Sequence, residues 1–221
     1  MKSVENSKQY EGILFDLDGT LVDNFGAIHH SINYAQKILG LPLSDYETVR
    51  KTVGGSLHIT LAKLVGEENF DRTYELYMEC FNRVWKEELE TLPYIFSSMQ
   101  KLKKAGYKMA VLTNKQGFSA RKVTDSIQVD QFMEFILGTR DTPYRKPQKE
   151  FTETALNRLG IPKEKVCYIG DGPYDVDTAK NAGLDVYLVA TGTHSLEEME
   201  GLETQGNFTN MKELTEAVFH I

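Results

Sequence analysis

The chain has 221 residues, enough for one large domain or for one domain carrying a smaller insert. Hydrophobic residues make up 41% and charged residues 26%, an ordinary balance for a chain that buries a sizeable core. A net charge of −7 argues against a nucleic-acid binder, and the longest apolar run, Val186 to Ala190, falls far short of the ~20 residues of a membrane span.

The first twelve residues are polar and lack the apolar stretch of a signal peptide, so a cytoplasmic protein is expected. GILFD at 12–16 reads as a first buried strand. It runs into a crowd of acids, Asp16, Asp18 and Asp23, with Gly19 and Thr20 among them. The region 24–92 then contains no convincing strand. Helical patterns cover roughly 25–39, 45–51, 57–65 and 69–88, and Tyr74, Tyr77, Met78, Phe81 and Trp85 form an apolar stripe that predicts core. His29 and His30 read as exposed or half-exposed helix residues, and His58 as core or surface. An all-helical domain at 24–92 is therefore expected inside a core domain of 1–23 and 93–221, with hinges where the chain leaves and returns. Asp23 stands at the first of these and is not expected to bind metal.

Past residue 92 the rhythm alternates. A helix over 95–105 precedes a strand at 107–113, where the Lys-rich KLKKAGYK (101–108) reads as a solvated helix face. Strands follow at 134–138, 165–170 and 185–190, with helices over 149–159 and about 174–182. Gly106, Gly160 and Gly183 each stand where a left-handed helix cap would sit. Uninterrupted apolar strands alternating with helices imply an α/β fold with a doubly wound parallel sheet. Cys80 and Cys167 lack CxxC spacing and lie in apolar patterns, which predicts buried thiols rather than a disulfide or a zinc site.

Ligands of open α/β sheets bind beyond the carboxyl ends of the strands. Those ends carry Asp16 and Asp18, then Thr113-Asn114, then a loop with Lys146-Pro147, then Gly170-Asp171 with Asp175 four residues on. Asp16, Asp18 and Asp171 are hard oxygen ligands without a His or Cys, a set that suits Mg²⁺. A phosphate would account for Lys146 as a point charge, for Thr113 and Asn114 as donors, and for Gly19 as a point of close backbone approach. Asp16 could then attack phosphorus. Asp18 could move the proton, a role that calls for a raised pKa. Plainer readings exist for each piece: Asp18-Gly19 as a turn, Thr113 and Asn114 as a cap for a helix near Gly117, Asp175 or Asp177 as helix-start acids, Gly54-Gly55 as a turn.

DLDGT (16–20), TN (113–114), KP (146–147) and GDGPYD (170–175) resemble, in order and spacing, the four motifs of the haloacid dehalogenase superfamily. The resemblance spans essentially the whole chain, with its Rossmann-like core, and the insert position is similar to members with a helical cap, above all the phosphoglycolate phosphatase-like group. It implies Asp16 as nucleophile and Asp18 as general acid and base, with Thr113 and Lys146 holding the phosphoryl group. It also implies Mg²⁺ on Asp16, the Asp18 backbone carbonyl and Asp171, supported by Asp175. The substrate would be a small phosphorylated metabolite, with no nucleic acid or membrane partner, in a monomer or homodimer. RKTVGGSLH (50–58) falls where such caps read substrate, making Arg50, Thr52, Ser56 and His58 candidates. Other family chemistries bear on the same residues. Dehalogenases lack the second acid, which is present here as Asp18. A phosphonate-cleaving role would need a cap lysine, and nothing marks Lys37 or Lys51. A sugar phosphomutase shares the core motifs, and a non-catalytic phosphate-binding module is the reading outside enzymes.

Overall fold

A computed structural model describes residues 10–221, so the polar start read as lacking a signal peptide lies mostly outside the described residues. Six parallel strands form the central sheet in the order β5-β4-β1-β6-β7-β8. They are β1 (Gly12–Phe15), β4 (Lys108–Gln116), β5 (Met133–Thr139), β6 (Val166–Gly170), β7 (Asp185–Val189) and β8 (Gly206–Phe208). The absence of polar alternation has the expected cause: both faces are covered. Ile13 and Phe15 of β1 pack with Ile95, Met99 and Leu102 of α5 (Ile95–Lys104) and with α10 (Met211–Phe219). Leu14 points the other way, toward Phe151 and Ala155 of α7 (Lys149–Leu159) and Val176 and Ala179 of α8 (Pro173–Ala182). Helices α7 and α8 end on left-handed glycines, Gly160 and Gly183, as the sequence signals.

Register decides where chemistry can gather. Phe15 lies beside Val111 of β4 and Ile169 of β6, so β1 and β6 end level with one another while β4 runs on past them to Gln116. Asp16 and Asp171 leave the sheet at that shared edge, beside Thr113 of the continuing β4.

Between β1 and α5 the chain builds a helical block: α1 (Phe25–Leu39), α2 (Tyr46–Thr52), α3 (Leu57–Val65) and α4 (Phe70–Val84). It has its own apolar cluster of Ala27, Ile28, Ile32, Val49, Leu61, Tyr77 and Phe81, against which Tyr74, Met78 and Trp85 pack. The apolar stripe of α4 is thus core. The helix stops at Val84 rather than 88, where Glu87 and Glu88 N–H groups both turn back to the Val84 carbonyl.

Two features depart from expectation. The crossing points of the block are joined by a ribbon in which β2 (Val22–Asp23) pairs antiparallel with β3 (Glu90–Thr91). Two-residue strands are too short to leave a periodic signal. Asp23 sits in this ribbon and accepts the Phe25 N–H at 3.0 Å, which starts α1. The sheet also gains β8 and the helices α9 (Leu196–Met199) and α10, which carry no clear pattern in sequence except α10's amphipathic face. Both cysteines are buried, and no described helix is long and apolar enough to cross a membrane.

Leu14 is fully buried in the central strand. Leu14→Ala is expected to destabilise by about 2–5 kcal/mol, read as a lower urea midpoint with an unchanged slope.

Candidate active site

Asp16 follows β1 directly and is buried. The Lys146 ammonium, itself 1% exposed, lies 2.9 Å from Asp16 Oδ1 and 2.7 Å from Asp175 Oδ1. It also donates to the Tyr168 hydroxyl at 3.2 Å, which in turn donates to the Leu112 carbonyl at 2.8 Å. Its approach to Asp16 is off the hydrogen-bonding direction, so Asp16 Oδ1 is a buried oxygen with an ion-pair neighbour and no hydrogen bond. Asp175 opens α8 and its second oxygen accepts the Asp171 and Gly172 N–H groups at 3.0 and 3.2 Å. The helix-start role and the charge-partner role therefore hold together. Asp177, the other candidate at that helix start, is exposed.

Asp171 is held from the opposite side. Its Oδ2 accepts the Thr193 N–H at 2.7 Å and the Thr193 hydroxyl at 2.8 Å, while Thr20 donates to Oδ1 at 3.3 Å. Gly19 presses against the same carboxylate. At φ +89° it takes a left-handed turn, and a Cβ there would stand 2.6 Å from Asp171 Oδ2, so only glycine fits. Its N–H donates to the Val22 carbonyl at 2.8 Å and is committed to the turn.

Oxygens of Asp16, Asp171 and Asp175 all lie within 4.8 Å of one another. Burial pushes the Asp16 carboxyl up to about 6; Lys146 pulls it down and Asp175 pushes it further up. Burial, with Asp175 and Asp16 nearby, pushes Asp171 up to about 8 despite its bonds from Thr193. Three buried carboxylates against one buried ammonium leave a negative site, and a divalent cation is the complement that would keep the acids ionised. An all-oxygen donor set with an orphaned Asp16 oxygen fits such an ion.

Asp18 stands apart from this cluster. Its carboxylate faces Lys115, whose ammonium lies 3.0 and 3.1 Å from its two oxygens, and Asn24 donates weakly at 3.4 Å. The crowding expected at Asp18 falls instead on Asp16 and Asp171. Lys115 was not legible because β4 was expected to end at 113; it runs to Gln116, and period-two alternation puts Lys115 on the side of Thr113. Thr113 and Asn114 cap no helix. The Thr113 hydroxyl accepts the Lys115 N–H at 3.2 Å, and α6 (Gly117–Ser126) begins after Gln116 without a side-chain cap. Asn114 is a clamp: Oδ1 accepts the Lys146 N–H at 2.9 Å, and Nδ2 donates to the carbonyls of Lys146 at 3.2 Å and Gly54 at 2.9 Å.

Gly54 belongs to the helical block, so the last bond ties that block to the sheet edge. Further ties are Gln116 Nε2 to the Tyr74 hydroxyl at 2.9 Å, Lys51 to Glu198, and Arg50 Nη1 to the Gly192 carbonyl. Of the four candidate substrate readers, Arg50 therefore ties the helical block to the loop after β7. The Thr52 hydroxyl donates to the Thr48 carbonyl at 2.7 Å. The Ser56 hydroxyl is buried without a partner. His58 is exposed, 3.3 Å from Glu67, with its ring 4.2 Å from the Phe70 ring at a tilt of 56°. None of the four lines the cavity that contains Asp18; its helical side comes from Ile28, Val53, Leu57, Tyr77, Met78 and Phe81. Thr193 also escaped the sequence reading, because nothing in its loop marks it.

The family model for haloacid dehalogenase-like hydrolases matches residues 13–189. A phosphoglycolate phosphatase from Aquifex aeolicus (strain VF5) is 32% identical over 184 residues, covering 81% of this chain and 84% of the relative. One from Rhodobacter capsulatus is 31% identical over 186 residues, with the same coverage of 81% and 84%. Among solved structures, a haloacid dehalogenase-like family hydrolase from Streptococcus pneumoniae superposes with a TM-score of 0.84 at 23% identity, covering 93% of this chain and 96% of that one. The likeness to this last structure bears on the fold alone.

A raised carboxyl pKa means that the folded state holds protons the unfolded chain has released. That stabilisation is full below the unfolded Asp value of about 3.9 and is lost as pH rises through the folded values. Chelator-treated protein is therefore expected to lose thermal stability as pH rises through about 6 and about 8, the Asp16 and Asp171 values. Asp171→Asn should flatten the upper part of that loss. A divalent cation should raise Tm more at about pH 9 than at about pH 5. Melting curves at both pH values, with and without cation, check this.

Proposed function

This chain belongs to the haloacid dehalogenase-like hydrolases, and on that footing we propose that it is a Mg²⁺-dependent phosphatase that hydrolyses a small phosphomonoester through an aspartyl phosphate on Asp16. The observation that carries the reading is the buried Asp16, level with the end of β6, facing Lys146 and within 4.8 Å of the other two carboxylates.

In this reading an Asp16 oxygen forms a bond to phosphorus as the ester P–O bond breaks. The leaving alkoxide takes a proton from Asp18, which must enter this step as the neutral acid and leaves it as the carboxylate that Lys115 pairs with. Asp18 then removes a proton from a water that attacks the aspartyl phosphate, releasing phosphate and restoring Asp16. Lys146 offsets charge beside the transferring group, and Thr113 offers it a hydroxyl donor. Asn114 positions Lys146 through two bonds to its backbone. Lys115 holds the Asp18 carboxylate in one place. Bound Mg²⁺ would be held by Asp16, Asp171 and the Asp18 carbonyl with Asp175 in support, and would neutralise charge on the phosphoryl oxygens.

The helical block acts here as a cap domain, 24–92, on a core of 1–23 and 93–221, with the β2–β3 ribbon as its hinge. The contacts from Asn114 to Gly54, Gln116 to Tyr74 and Arg50 to Gly192 support a closed position in which bulk water is kept from the aspartyl phosphate. The substrate is a soluble metabolite in the cytoplasm, small enough to sit beneath that cap.

Hydrolysis of an aryl phosphate tests the mechanism. Activity should require Mg²⁺, vanish in Asp16→Asn and fall at least ~100-fold in kcat in Asp18→Asn. Undiminished turnover by Asp16→Asn would overturn it.

A further inference from the structure

We propose that the groove between the helical block and the loop after β5 binds a phosphate group, free or esterified, at a site separate from Asp16, and that a phosphate held there bridges the block and the sheet edge. The inference does not depend on the phosphatase reading, because neither Asp16 nor Asp18 lines this groove.

Ser56, His58 and Tyr74 belong to the wall from the helical block, and Arg140 and Arg145 to the wall from the loop. Tyr74 brings the two walls together. Its hydroxyl accepts Gln116 Nε2 at 2.9 Å, and the Arg140 guanidinium lies 5.6 Å from the centre of its ring.

The chain carries a net charge of −7, yet among the described residues no acid lines this groove. Arg50, Arg72, Arg83 and Arg121 each meet a carboxylate. Among the described residues Arg140 and Arg145 meet none. Asp141, beside Arg140 in the chain, pairs with Arg121 at 2.8 Å instead. The loop is ordered by bonds that leave both guanidiniums out. The Thr142 hydroxyl accepts the Tyr144 N–H at 3.2 Å, and Gln148 Oε1 accepts the Arg145 N–H at 2.9 Å. Two guanidiniums without a carboxylate are well matched to phosphate oxygens, which they grip through paired N–H donors.

The opposite wall supplies an independent observation. The Ser56 hydroxyl is buried and has no hydrogen-bond partner. Ser56 precedes α3 without capping it, and the first turn of α3 holds no acid. An unpaired buried hydroxyl costs free energy, and a helix start without a side-chain acceptor leaves N–H groups open. A phosphate oxygen would satisfy the hydroxyl and complement the positive end of the helix together. His58 already stands 3.3 Å from Glu67 and is not needed. A ligand touching both walls favours the arrangement in which Tyr74, Gln116 and Arg140 meet.

The test uses protein stripped of divalent cations by chelator and then desalted, because without a cation the buried acids around Asp16 repel an anion. Sodium phosphate at fixed ionic strength should raise Tm saturably, beyond matched sodium chloride. Arg140 and Arg145 are exposed, and Arg140→Gln and Arg145→Gln should each weaken the fitted Kd at least about tenfold. Ser56→Ala should leave the phosphate-free Tm unchanged or higher, since its hydroxyl has no partner to lose, and should weaken Kd by about tenfold. Phenyl phosphate in place of inorganic phosphate separates the two sources: tighter binding assigns the site to a phosphorylated metabolite, equal or weaker binding to the free ion. A Tm gain no larger than in chloride, or an unchanged Kd in either arginine variant, overturns the site. An unchanged Kd in Ser56→Ala overturns the bridge.

Discussion

A single ammonium buried among three acids is the constraint around which this site is arranged. Lys146 touches Asp16 and Asp175, and Asp175 in turn fixes the backbone of the loop that carries Asp171. An ion pair taken out of water is weak evidence for stability, because desolvation consumes most of the attraction. Here the arrangement is also unbalanced, with more buried carboxylate than cation. Asp16 and Asp171 respond as buried acids do, with raised pKa values. A site pushed toward protonation by an excess of buried acid has a charge imbalance that a cation would relieve.

The surrounding structure keeps that imbalance in place. Thr193 and Thr20 hold Asp171 from one side while Gly19 closes the other at a distance no side chain allows. Asn114 ties the Lys146 backbone to the end of β4 and reaches up to Gly54. One amide thus links the residue that carries the buried ammonium to the block that covers it. Asp18 and Lys115 form a second, separate pair under the same cover. The division of charge between two pairs gives Asp16 and Asp18, two residues apart, separate environments, as the proposed nucleophile and proton carrier would need.

Much of this was legible in sequence, for reasons particular residues make plain. Strands buried on both faces leave apolar runs, so the positions of β1, β4, β6 and β7 were readable, and with them the residues at their carboxyl ends. The helical stripe of α4 announced its own core. The ribbon of β2 and β3, the short strand β8 and the true length of β4 were not readable, because two or three residues carry no period and a strand continuing into polar residues looks like a loop. The cost of ending β4 early was Lys115, and the cost of reading 50–58 for its polar residues was to overlook Val53 and Leu57, which with Ile28 of α1 and Tyr77, Met78 and Phe81 of α4 wall the Asp18 cavity.

The sequence by itself determined the fold class, the set of acids and the lysine at the strand ends, because these are local properties: hydrophobic period, turn residues and chemical type at each position. Tertiary structure decided which groups share a charge environment. Asp171 and Asp175 join Asp16 through the level ends of β1 and β6, Asp18 turns away to Lys115, and the walls of the Asp18 cavity come from helices far in sequence from the β4 residues beneath them. Such proximities depend on strand register and on how one packed block docks on another. No local pattern encodes a distance between side chains that the chain brings together only after the sheet has formed.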